Sequence, residues 1–482
     1  MAYQGLREFL ERLEQTGELH RVRVEVDPVL EIAEITDRQS KSPEGGKALL
    51  FERVKGSRFP VATNLFGSSR RVCTALAVES LSDLSRRVAE LFGQVSAASP
   101  AGTMAALSLC RAFSRFAPVP VARGACQEVV ESVPDLAALP ILKSWPGDGL
   151  PVNDGRFITL PLVFTRDPET GLANCGTYLV QVLSGTAAGI RWRMGSGGAA
   201  HWLKHRARGE RMPVAIALGG DPALLLAASA PLPGSIDEMQ FAGFLRGRPV
   251  EMVRCRTSSI MVPAGAELVI EGEIDPTEML SGGAFGNHTG FYTSPQALPV
   301  MRITCITRRG EPIYPATVVG PPPMEDCWLA KGVERLMLPF LQLELPEIAE
   351  INLPVEGIFH GAAVVAIEKR APGQARRVME TLWNGGWLAA ARLLVVVDAD
   401  LDVRNLSRTF WKVLNSVEWR RDLVIADSPG DGGGMLPFGG RLGIDATRKL
   451  VGEGLVYEWP REIAMDETVQ ELVGKRWREY GF

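Results

Sequence analysis

Two oxygen-bearing side chains, Asn174 and Glu238, stand in positions that suit a metal ion. Asn174 follows the turn sequence DPETG at the start of a predicted strand, and Glu238 lies near the start of a predicted helix in PLPGSIDEMQFAG. Amide and carboxylate oxygens are hard ligands suited to Mg²⁺ or Mn²⁺, which can also hold a phosphate. A helix N-terminus favours an anion too. Taken alone, however, Glu238 is better explained as a helix cap or dipole partner.

The histidines offer two further hypotheses. His201 and His205 are four residues apart on a predicted helix, a spacing that can place two metal ligands on one face. Neighbouring lysine and arginines favour instead a basic, solvated helix face. His288 lies in the glycine-rich turn GGAFGNHTGFY, a kind of loop that brings polar groups close to a ligand. A buried, hydrogen-bonded structural histidine explains His288 equally well.

Several common kinds of site are excluded by their missing motifs. The sequence has no GxGxxG after a strand, no GxxxxGK[ST], no GxSxG and no HExxH. The cysteines never form CxxC, and their odd number and wide spacing argue against a disulfide framework and a zinc site. We expect them to be mostly small core residues in a reducing cytoplasm. They are Cys73, Cys110, Cys126, Cys175, Cys255, Cys305 and Cys327.

The elements that must position these residues are mixed α and β. Apolar residues at helical spacing predict an amphipathic helix over residues 6–13, with a C-cap at Gly17. Valines that alternate with charged residues predict a half-buried strand over 22–26. Another helix is predicted over 72–92. Proline, glycine and aspartate become frequent over 117–155, which indicates a domain boundary.

The rest of the chain changes character twice. Short β-rich runs and turn signals over 156–320 predict an antiparallel, barrel-like sheet, interrupted by helices near 197–209 and 235–246. Beyond this segment, helices alternate with continuous apolar runs at residues 362–367 and 393–397, which are typical of a covered sheet. An exposed amphipathic helix is predicted over the last residues, 467–480.

Length and charge limit the possible classes of protein. A chain of 482 residues is too long for one compact core, so two or three domains are expected. The net charge of −4 provides no basic surface for nucleic acid. No apolar run approaches the roughly 20 residues that span a bilayer. The first residues carry charge and lack a signal-peptide core, so a cytoplasmic protein is expected.

Seven segments, in one order over nearly the whole chain, resemble the signatures of the UbiD-like decarboxylase family. They are NDGRFITLPLVFTRDPETGLANCGTYLVQV (153–182), IRW (190–192), ALGGDPALLLAASAPLPGSIDEMQFAGFLRG (217–247), VPAGAELVIEGEI (262–274), GAFGNHTGFY (283–292), TVVGPPPMED (317–326) and GRLGIDATRK (440–449). On these motifs the chain is identified as a member of that family.

The resemblance implies a mixed α/β (α+β) fold of three parts. Residues 1–116 would form an N-terminal α/β domain, and residues 117–320 a central split β-barrel domain that binds flavin. Residues 321–482 would form a C-terminal α/β domain with an oligomerisation surface. A homo-oligomer is implied, either a dimer or a hexamer built from dimers.

The resemblance also implies the ligands. The cofactor would be prenylated FMN, supplied by a flavin prenyltransferase, with Mn²⁺ or Mg²⁺ and often K⁺ at its phosphate. By position, Asn174 and Glu238 would be the metal ligands. The flavin, its phosphate and its ring edge would be held by Thr177, Tyr178, Leu179, Arg191, Trp192, Arg193, Ser196 and Gly197. The substrate would be an aromatic or unsaturated acid, with CO₂ as the second reactant or product.

The sequence departs from the family pattern at four functional positions. Where relatives carry an arginine this chain has Leu179, and where they carry two carboxylates it has Gly282 and Asn287. The histidine that usually follows the IRW-like segment is absent from residues 194–196. Leucine cannot hold a substrate carboxylate, and an amide has no acidic proton to deliver near neutral pH.

Three interpretations remain open at this point. The chain could be an active decarboxylase or carboxylase with altered proton delivery, a subunit of a multi-subunit carboxylase, or a non-catalytic relative. In the first case the candidate catalytic residues are Asn287, His288, Glu325 and Asp326, and Arg191 or Arg193 could supply a positive charge. Such departures would suit a substrate whose carboxylate needs no arginine, for instance an aryl-CoA thioester or a phenolic compound. Separately, because Gly282 and Leu179 are small or apolar, a roomier, more apolar site is expected, which favours a bulky aromatic acid over a small polar one.

Overall fold

The structure is a computed structural model. It describes residues 2–96, 112–358, 360–385, 387–427, 440–454, 459–461 and 463–482. The eleven α-helices described there are Leu6–Gln15, Glu31–Ser40, Ser69–Leu76, Ser82–Ser96, Gly197–Arg208, Pro222–Ser229, Glu238–Arg246, Glu325–Glu344, Gln374–Asn384, Leu406–Ser416 and Glu467–Lys475, labelled α1 to α11 in that order.

The strands in these same residues are labelled β1 to β23 in chain order. They are Leu19–Val26, Ala48–Val54, Val61–Thr63, Val119–Val121, Val129–Glu131, Phe157–Ile158, Leu162–Arg166, Ala173–Gly176, Leu179–Ser184, Ala187–Arg191, Met212–Leu218, Glu251–Arg254, Met261–Pro263, Leu268–Gly282, Phe285–Gly286, Tyr292–Thr293, Gln296–Arg308, Tyr314–Pro315, Ile348–Asn352, Ala362–Ile367, Leu393–Asp398, Leu423–Ala426 and Arg441–Asp445. The mixed α/β character predicted from the sequence is confirmed.

The N-terminal part is built on a four-stranded sheet of order β1-β2-β3-β18. The predicted first helix is confirmed, because the apolar face of α1 is buried. The predicted alternation in β1 is wrong: Val24 is exposed, and the pairing of β1 with β2 shifts register between Val22 and Glu25. A single helix over 72–92 is also wrong. The chain takes a left-handed conformation at Ala77 (φ 50°), which ends α3 before α4 begins.

The central part contains a nine-stranded sheet of order β6-β9-β10-β17-β14-β11-β7-β8, with β5 added beside β17. Its neighbouring strands pair in antiparallel fashion, as predicted from the sequence. Between β6 and β8 the pairings of the described residues do not close into a ring. Helices α5 and α7 confirm the two predicted helices, and the buried α6 was not expected.

The C-terminal part is a five-stranded sheet of order β19-β20-β21-β23-β22. β20 and β21 run parallel, and alternate residues of both strands belong to two different apolar clusters. Both faces of these strands are therefore covered, which confirms the inference from their continuous apolar runs. The predicted last helix is present as α11, followed by a short 3₁₀ turn, and it is exposed along its length.

Two general expectations can be compared with this architecture. The six cysteines within the described ranges are free and buried, as expected of small core residues; Cys110 lies outside those ranges. In the described part of the chain, none of the helices combines the length and the apolar character needed to cross a bilayer.

Candidate functional site

Asn174 and Glu238 are brought together at the end of a strand and the start of a helix. Asn174 lies on β8, and the backbone N–H of the next residue, Cys175, donates a hydrogen bond to Glu238 Oε2 at 3.1 Å. Glu238 is the first residue of α7, whose N-cap is Asp237. Burial raises the pKa of Glu238 to about 7. A carboxylate held in this way gains from a nearby cation, because burial disfavours its charged form.

A second helix begins at the same place. Helix α5 starts at Gly197, capped by the Ser196 hydroxyl, which accepts a hydrogen bond from the Ala199 N–H at 3.3 Å. A Cβ atom on Gly197 would lie 2.0 Å from Asn174 Oδ1, so the start of α5 packs directly on the asparagine. The N-termini of α5 and α7 therefore both lie beside Asn174. The dipoles of the two helices create a positive field suited to an anion.

Gly197→Ala is expected to weaken cation and phosphate binding while α5 still forms. Alanine is a good helix former, but its Cβ would displace the Asn174 side chain. We expect metal affinity to fall by roughly 10- to 100-fold, the range seen when a ligand loses its support. The measurement is a metal titration of the purified protein. Gly93→Ala in α4 is the control, since its Cβ meets no atom within 4 Å; equal affinities in both variants would contradict the assignment.

Two aromatic residues line the same region. Tyr178 and Trp192 meet edge to face, with ring centroids 4.9 Å apart. The Tyr178 hydroxyl accepts a hydrogen bond from the Gly198 N–H at 3.0 Å. Trp192 Nε1 is buried and has no hydrogen-bond partner among the described residues, whereas Thr177 and Arg193 are exposed. Tyr178 is buried in the central apolar cluster and Trp192 packs against it, so both rings are fixed beside Asn174.

Arg191 is directed toward the loop formed by residues 282–293. Its guanidinium donates to Thr293 Oγ1 at 2.9 Å and to the carbonyl oxygen of Gly283. Burial lowers the pKa of Arg191 to about 10, and the nearby Asp148 carboxylate acts in the opposite direction. Arg191 therefore stays protonated at neutral pH, as a largely desolvated cation beside this loop.

Asn287, a candidate catalytic residue, is engaged in its own turn. Its Oδ1 accepts hydrogen bonds from the Thr289 N–H at 2.8 Å and the Thr289 hydroxyl at 2.6 Å. Its Nδ2 is buried and has no partner among the described residues. The amide therefore shapes the loop and offers one donor, and it remains unsuited to deliver a proton.

His288 lies against a histidine from the C-terminal part of the chain. Its ring meets that of His360 edge to face, with centroids 5.2 Å apart. Burial, and then the neighbouring His360, lower the pKa of His288 to about 3. The imidazole is therefore neutral at pH 7. An imidazolium acid at this position is not available near neutral pH, which weakens the sequence-based case for His288 as proton donor.

Acid is expected to destabilise the protein through His288. Its folded-state pKa of about 3 lies below the ordinary value, so the unfolded chain binds more protons between pH 3 and 6.5 and stability falls as the pH drops through that window. The slope contributed by one such group is roughly 1 kcal/mol per pH unit. Denaturant unfolding of native protein and His288→Gln at pH 7 and pH 5 should show a smaller loss in the variant; an equal loss would refute the buried neutral state.

The two carboxylates of PPPMED lie in a different environment. Glu325 is buried and its Oε1 accepts the Phe66 N–H at 2.8 Å, so this side chain joins α8 to the N-terminal part. No hydrogen bond described in the structure links Glu325 to the 282–293 loop. Burial raises the pKa of Asp326 to about 7, a value suited to proton transfer near neutral pH. The catalytic roles of Glu325 and Asp326 remain predictions.

His201 and His205 match neither interpretation of their spacing. Both are buried, so the solvated helix face is wrong. His201 Nδ1 lies 2.9 Å from Thr165 Oγ1, and His205 Nε2 lies 3.3 Å from the carbonyl oxygen of Arg166. They bind α5 to β7. The described residues also contain no group of three or more His, Cys, Asp or Glu side chains that could hold a metal ion.

The extra room expected at Gly282 is absent. A Cβ atom there would lie 2.4 Å from Leu298 Cδ1 and 3.1 Å from Gln181 Oε1. The space that a larger side chain would need is therefore occupied by Leu298 and Gln181. The expectation of a roomier site at this position is wrong, because sequence reasoning did not reveal which side chains would fill it.

Sequence reasoning also missed Asp148. Its side chain is 1% exposed, and its carboxylate accepts hydrogen bonds from the Gly286 N–H at 2.7 Å and the Trp145 N–H at 2.9 Å. The residue lies in SWPGDGLP, within the segment interpreted only as a domain boundary. An aspartate between two glycines next to a tryptophan was the available signal, since glycine-rich loops permit close backbone approach.

Comparison with known families identifies the chain. Sequence models of the UbiD family match residues 10–91, 118–322 and 327–446, described respectively as the N-terminal, Rift-related and C-terminal domains of 3-octaprenyl-4-hydroxybenzoate carboxy-lyase. The chain belongs to the UbiD family, whose members are carboxy-lyases. The resemblance inferred from the motifs is confirmed.

Similar proteins span the whole chain. An uncharacterized protein of Archaeoglobus fulgidus is 45% identical over 99% of both chains, and one of Aquifex aeolicus is 40% identical over 99% of both. Vanillic acid decarboxylase of Sedimentibacter hydroxybenzoicus, in closed form, is similar in structure: TM-score 0.87, 27% identity, covering 100% of this chain and 99% of that one. An evolved dimeric HmfF of Pelotomaculum thermopropionicum in complex with prFMN, a UbiD-class enzyme, gives TM-score 0.79, 29% identity and 97% and 98% coverage.

Proposed function

We propose that the chain is a prenylated-FMN-dependent decarboxylase or carboxylase of an aromatic or α,β-unsaturated acid. The observation that carries this proposal is the meeting of Asn174, Glu238 and two helix N-termini at one place, which suits a cation and the phosphate of a flavin mononucleotide. Membership of the family supplies the reaction class. CO₂ is then the second product or reactant, and a flavin prenyltransferase supplies the cofactor.

The residues present fit such a cofactor. Trp192, half-buried against Tyr178, would offer part of its ring to a flat ring system, and its Nε1 is a buried donor that the described residues leave unpaired. Thr177 lies beside Tyr178 in the two-residue connection between β8 and β9, Leu179 begins β9, and Arg193 follows Trp192 just after the end of β10. Ser196 and Gly197, with Arg193, would hold the phosphate, because an arginine and a helix N-terminus both bind this group well.

The metal ion would be held by Asn174 and Glu238 together with the phosphate. Two protein oxygens are enough for Mg²⁺ or Mn²⁺ when a phosphate and water complete the shell. A cation bound beside Glu238 would favour its charged form and so oppose the rise in pKa that burial causes. K⁺ at the phosphate and an assembly of at least two copies remain predictions from the family resemblance.

The bound cofactor would supply an electron-accepting partner for the carbon that carries the carboxylate. The protein must then bind the acid, exclude water and deliver a proton to that carbon. The 282–293 loop, closed over the sheet by bonds to Gln181 and Arg191, performs the first two tasks. Asn287 and neutral His288 are poor acids, which leaves Glu325 and Asp326 as the predicted proton donors.

Isotope exchange tests this function. The protein, co-expressed with a flavin prenyltransferase, would be incubated with ¹³C-bicarbonate and a panel of benzoic, hydroxybenzoic and cinnamic acids. Label entering the carboxylate of one acid, followed by mass spectrometry, supports the enzyme. Flavin-loaded protein that exchanges only in the presence of a co-purifying homologue indicates a subunit of a larger carboxylase. Protein that neither holds flavin nor exchanges label indicates a non-catalytic relative.

A further inference from the structure

Arg191 stands directly opposite the position at which the sequence departs from its family. Strands β9 and β10 pair in antiparallel fashion, with Leu179 as the register partner of Arg191. Residues in register across such a pair share one face, with Cβ atoms about 4.5–5.5 Å apart. The next pair, Val180 and Ile190, points into the core with no exposure. Leu179 and Arg191 therefore both point away from that core cluster, from neighbouring positions.

The 282–293 loop covers this face. Gln181, two residues beyond Leu179 on the same face, accepts a hydrogen bond from the Gly283 N–H at 3.0 Å. Arg191 binds the same loop at both of its ends, through Gly283 and Thr293. The face is thus enclosed by the segment that also contains Gly282, the position of the family's first carboxylate.

The charge on this face is balanced from a second loop. Asp148 interacts electrostatically with Arg191 and is itself fixed by the Gly286 and Trp145 N–H groups. The Arg191 Nε–H is buried and has no partner among the described residues. A desolvated guanidinium that has an unpaired Nε–H and a carboxylate in its neighbourhood is suited to bind a second carboxylate.

We propose that Arg191, supported by Asp148, binds the substrate carboxylate in place of the arginine that Leu179 has replaced. This inference rests on the proposed function and gives Arg191 a role at the substrate rather than at the flavin phosphate. Arg191 contacts the substrate, and Asp148 is a positioning residue that holds both the guanidinium and the 282–293 loop. The site therefore selects acids that present a planar carboxylate to the strand pair β9 and β10.

A binding experiment tests the role of Arg191. Flavin-loaded protein would be titrated with benzoate and with benzamide, which differ in charge at nearly equal shape, by calorimetry. Native protein should prefer benzoate, and Arg191→Gln should reduce that preference by about 10- to 100-fold, the usual cost of a buried charged hydrogen bond. The exposed Arg211→Gln is the control and should keep it.

A compensating variant makes the test specific. Leu179→Arg in the Arg191→Gln background puts the guanidinium back from the opposite strand and should restore most of the preference for benzoate. Absence of a preference in flavin-loaded native protein, or its survival in Arg191→Gln, would overturn the inference and leave the proposed cofactor intact. A native protein that binds no flavin would instead remove the proposed function itself. The two failures are therefore distinguishable by the absorbance of each sample before titration.

Asp148→Asn tests the positioning role. The amide oxygen can still accept the Gly286 N–H, but the negative charge that supports the Arg191 cation is lost. The preference for benzoate over benzamide at pH 7 should therefore fall in this variant, whereas Asp148→Glu, which keeps the charge, should retain it. An unchanged preference in Asp148→Asn would show that Asp148 serves the fold alone.

Discussion

Glu238→Gln is expected to abolish retention of the flavin and its metal ion. Glutamine keeps an acceptor for the Cys175 N–H but carries no charge for the cation. Metal affinity should fall by at least about 100-fold, since even a residue that only supports a ligand costs roughly 10- to 100-fold when it is lost. The measurement is metal and flavin content after purification from cells that produce the prenylated cofactor.

The stability of the protein without metal and flavin provides a second measurement, in which no loss is expected. Burial opposes ionisation of Glu238, so the neutral glutamine should leave the metal-free protein as stable as the native one, or more stable. The matched control is Glu467→Gln, since Glu467 also follows an aspartate N-cap at the start of a helix but is exposed. A Glu238→Gln protein that keeps its metal, or that loses it only because it unfolds, would contradict the site.

Gly282→Glu is expected to destabilise the fold, even though it restores the residue type that relatives carry there. Its Cβ would collide with Leu298, and the carboxylate would be buried beside Gln181. Overpacking together with an unpaired buried charge should cost about 3 kcal/mol of unfolding free energy or more. Urea unfolding measures it, and Gly474→Glu, in open space on α11, should cost little.

A double-mutant cycle identifies the cause. Leu298→Ala alone removes a buried side chain and should cost about 3 kcal/mol. If Leu298 fills the space left by the missing glutamate, then Gly282→Glu with Leu298→Ala should cost less than the sum of the two by at least roughly 1 kcal/mol. Strict additivity would mean that the two positions do not share one space. The explanation that Leu298 has replaced the missing glutamate side chain would then be wrong.

Much of the order of elements was predictable from the sequence, because it depends on local patterns. The apolar face of α1 and the covered strands β20 and β21 repeat with regular periods over enough residues to be unambiguous. Asn174 and Glu238 were predicted as metal ligands from their residue types beside a turn and a helix start. The family resemblance then assigned both to one flavin cofactor, which their positions in the sequence alone could not do.

The parts that failed depend on contacts between distant segments. His201 and His205 lie among lysine and arginine residues, which predicted an exposed helix face, yet β7 covers them. Leu298 and Gln181 together fill the space beside Gly282. These two residues are more than 100 positions apart, so no local pattern predicts that they lie side by side. Asp148 was missed for the same reason, because Gly286, which it joins to its own loop, lies more than 130 residues further along the chain. Similarly, only strand register reveals that Arg191 faces Leu179.

The departures from the family pattern therefore look different once the fold is known. Leucine, glycine and asparagine at 179, 282 and 287 suggest, by themselves, a site that has lost its chemistry. In the fold, Arg191 and Asp148 place a cation and a carboxylate beside two of these positions, and Leu298 and Gln181 fill the space beside one of them. Because neighbouring side chains replace the missing ones, a functional site with altered chemistry is favoured over a site that has lost its function.

The most direct test is the ratio of flavin to divalent metal in native protein purified from cells that also produce the flavin prenyltransferase. Absorbance gives the flavin content and elemental analysis gives the metal content of the same sample. We expect about one of each per chain, because in the proposed site Asn174, Glu238 and the phosphate would share a single cation. A colourless protein without metal, still folded by circular dichroism, would contradict the account.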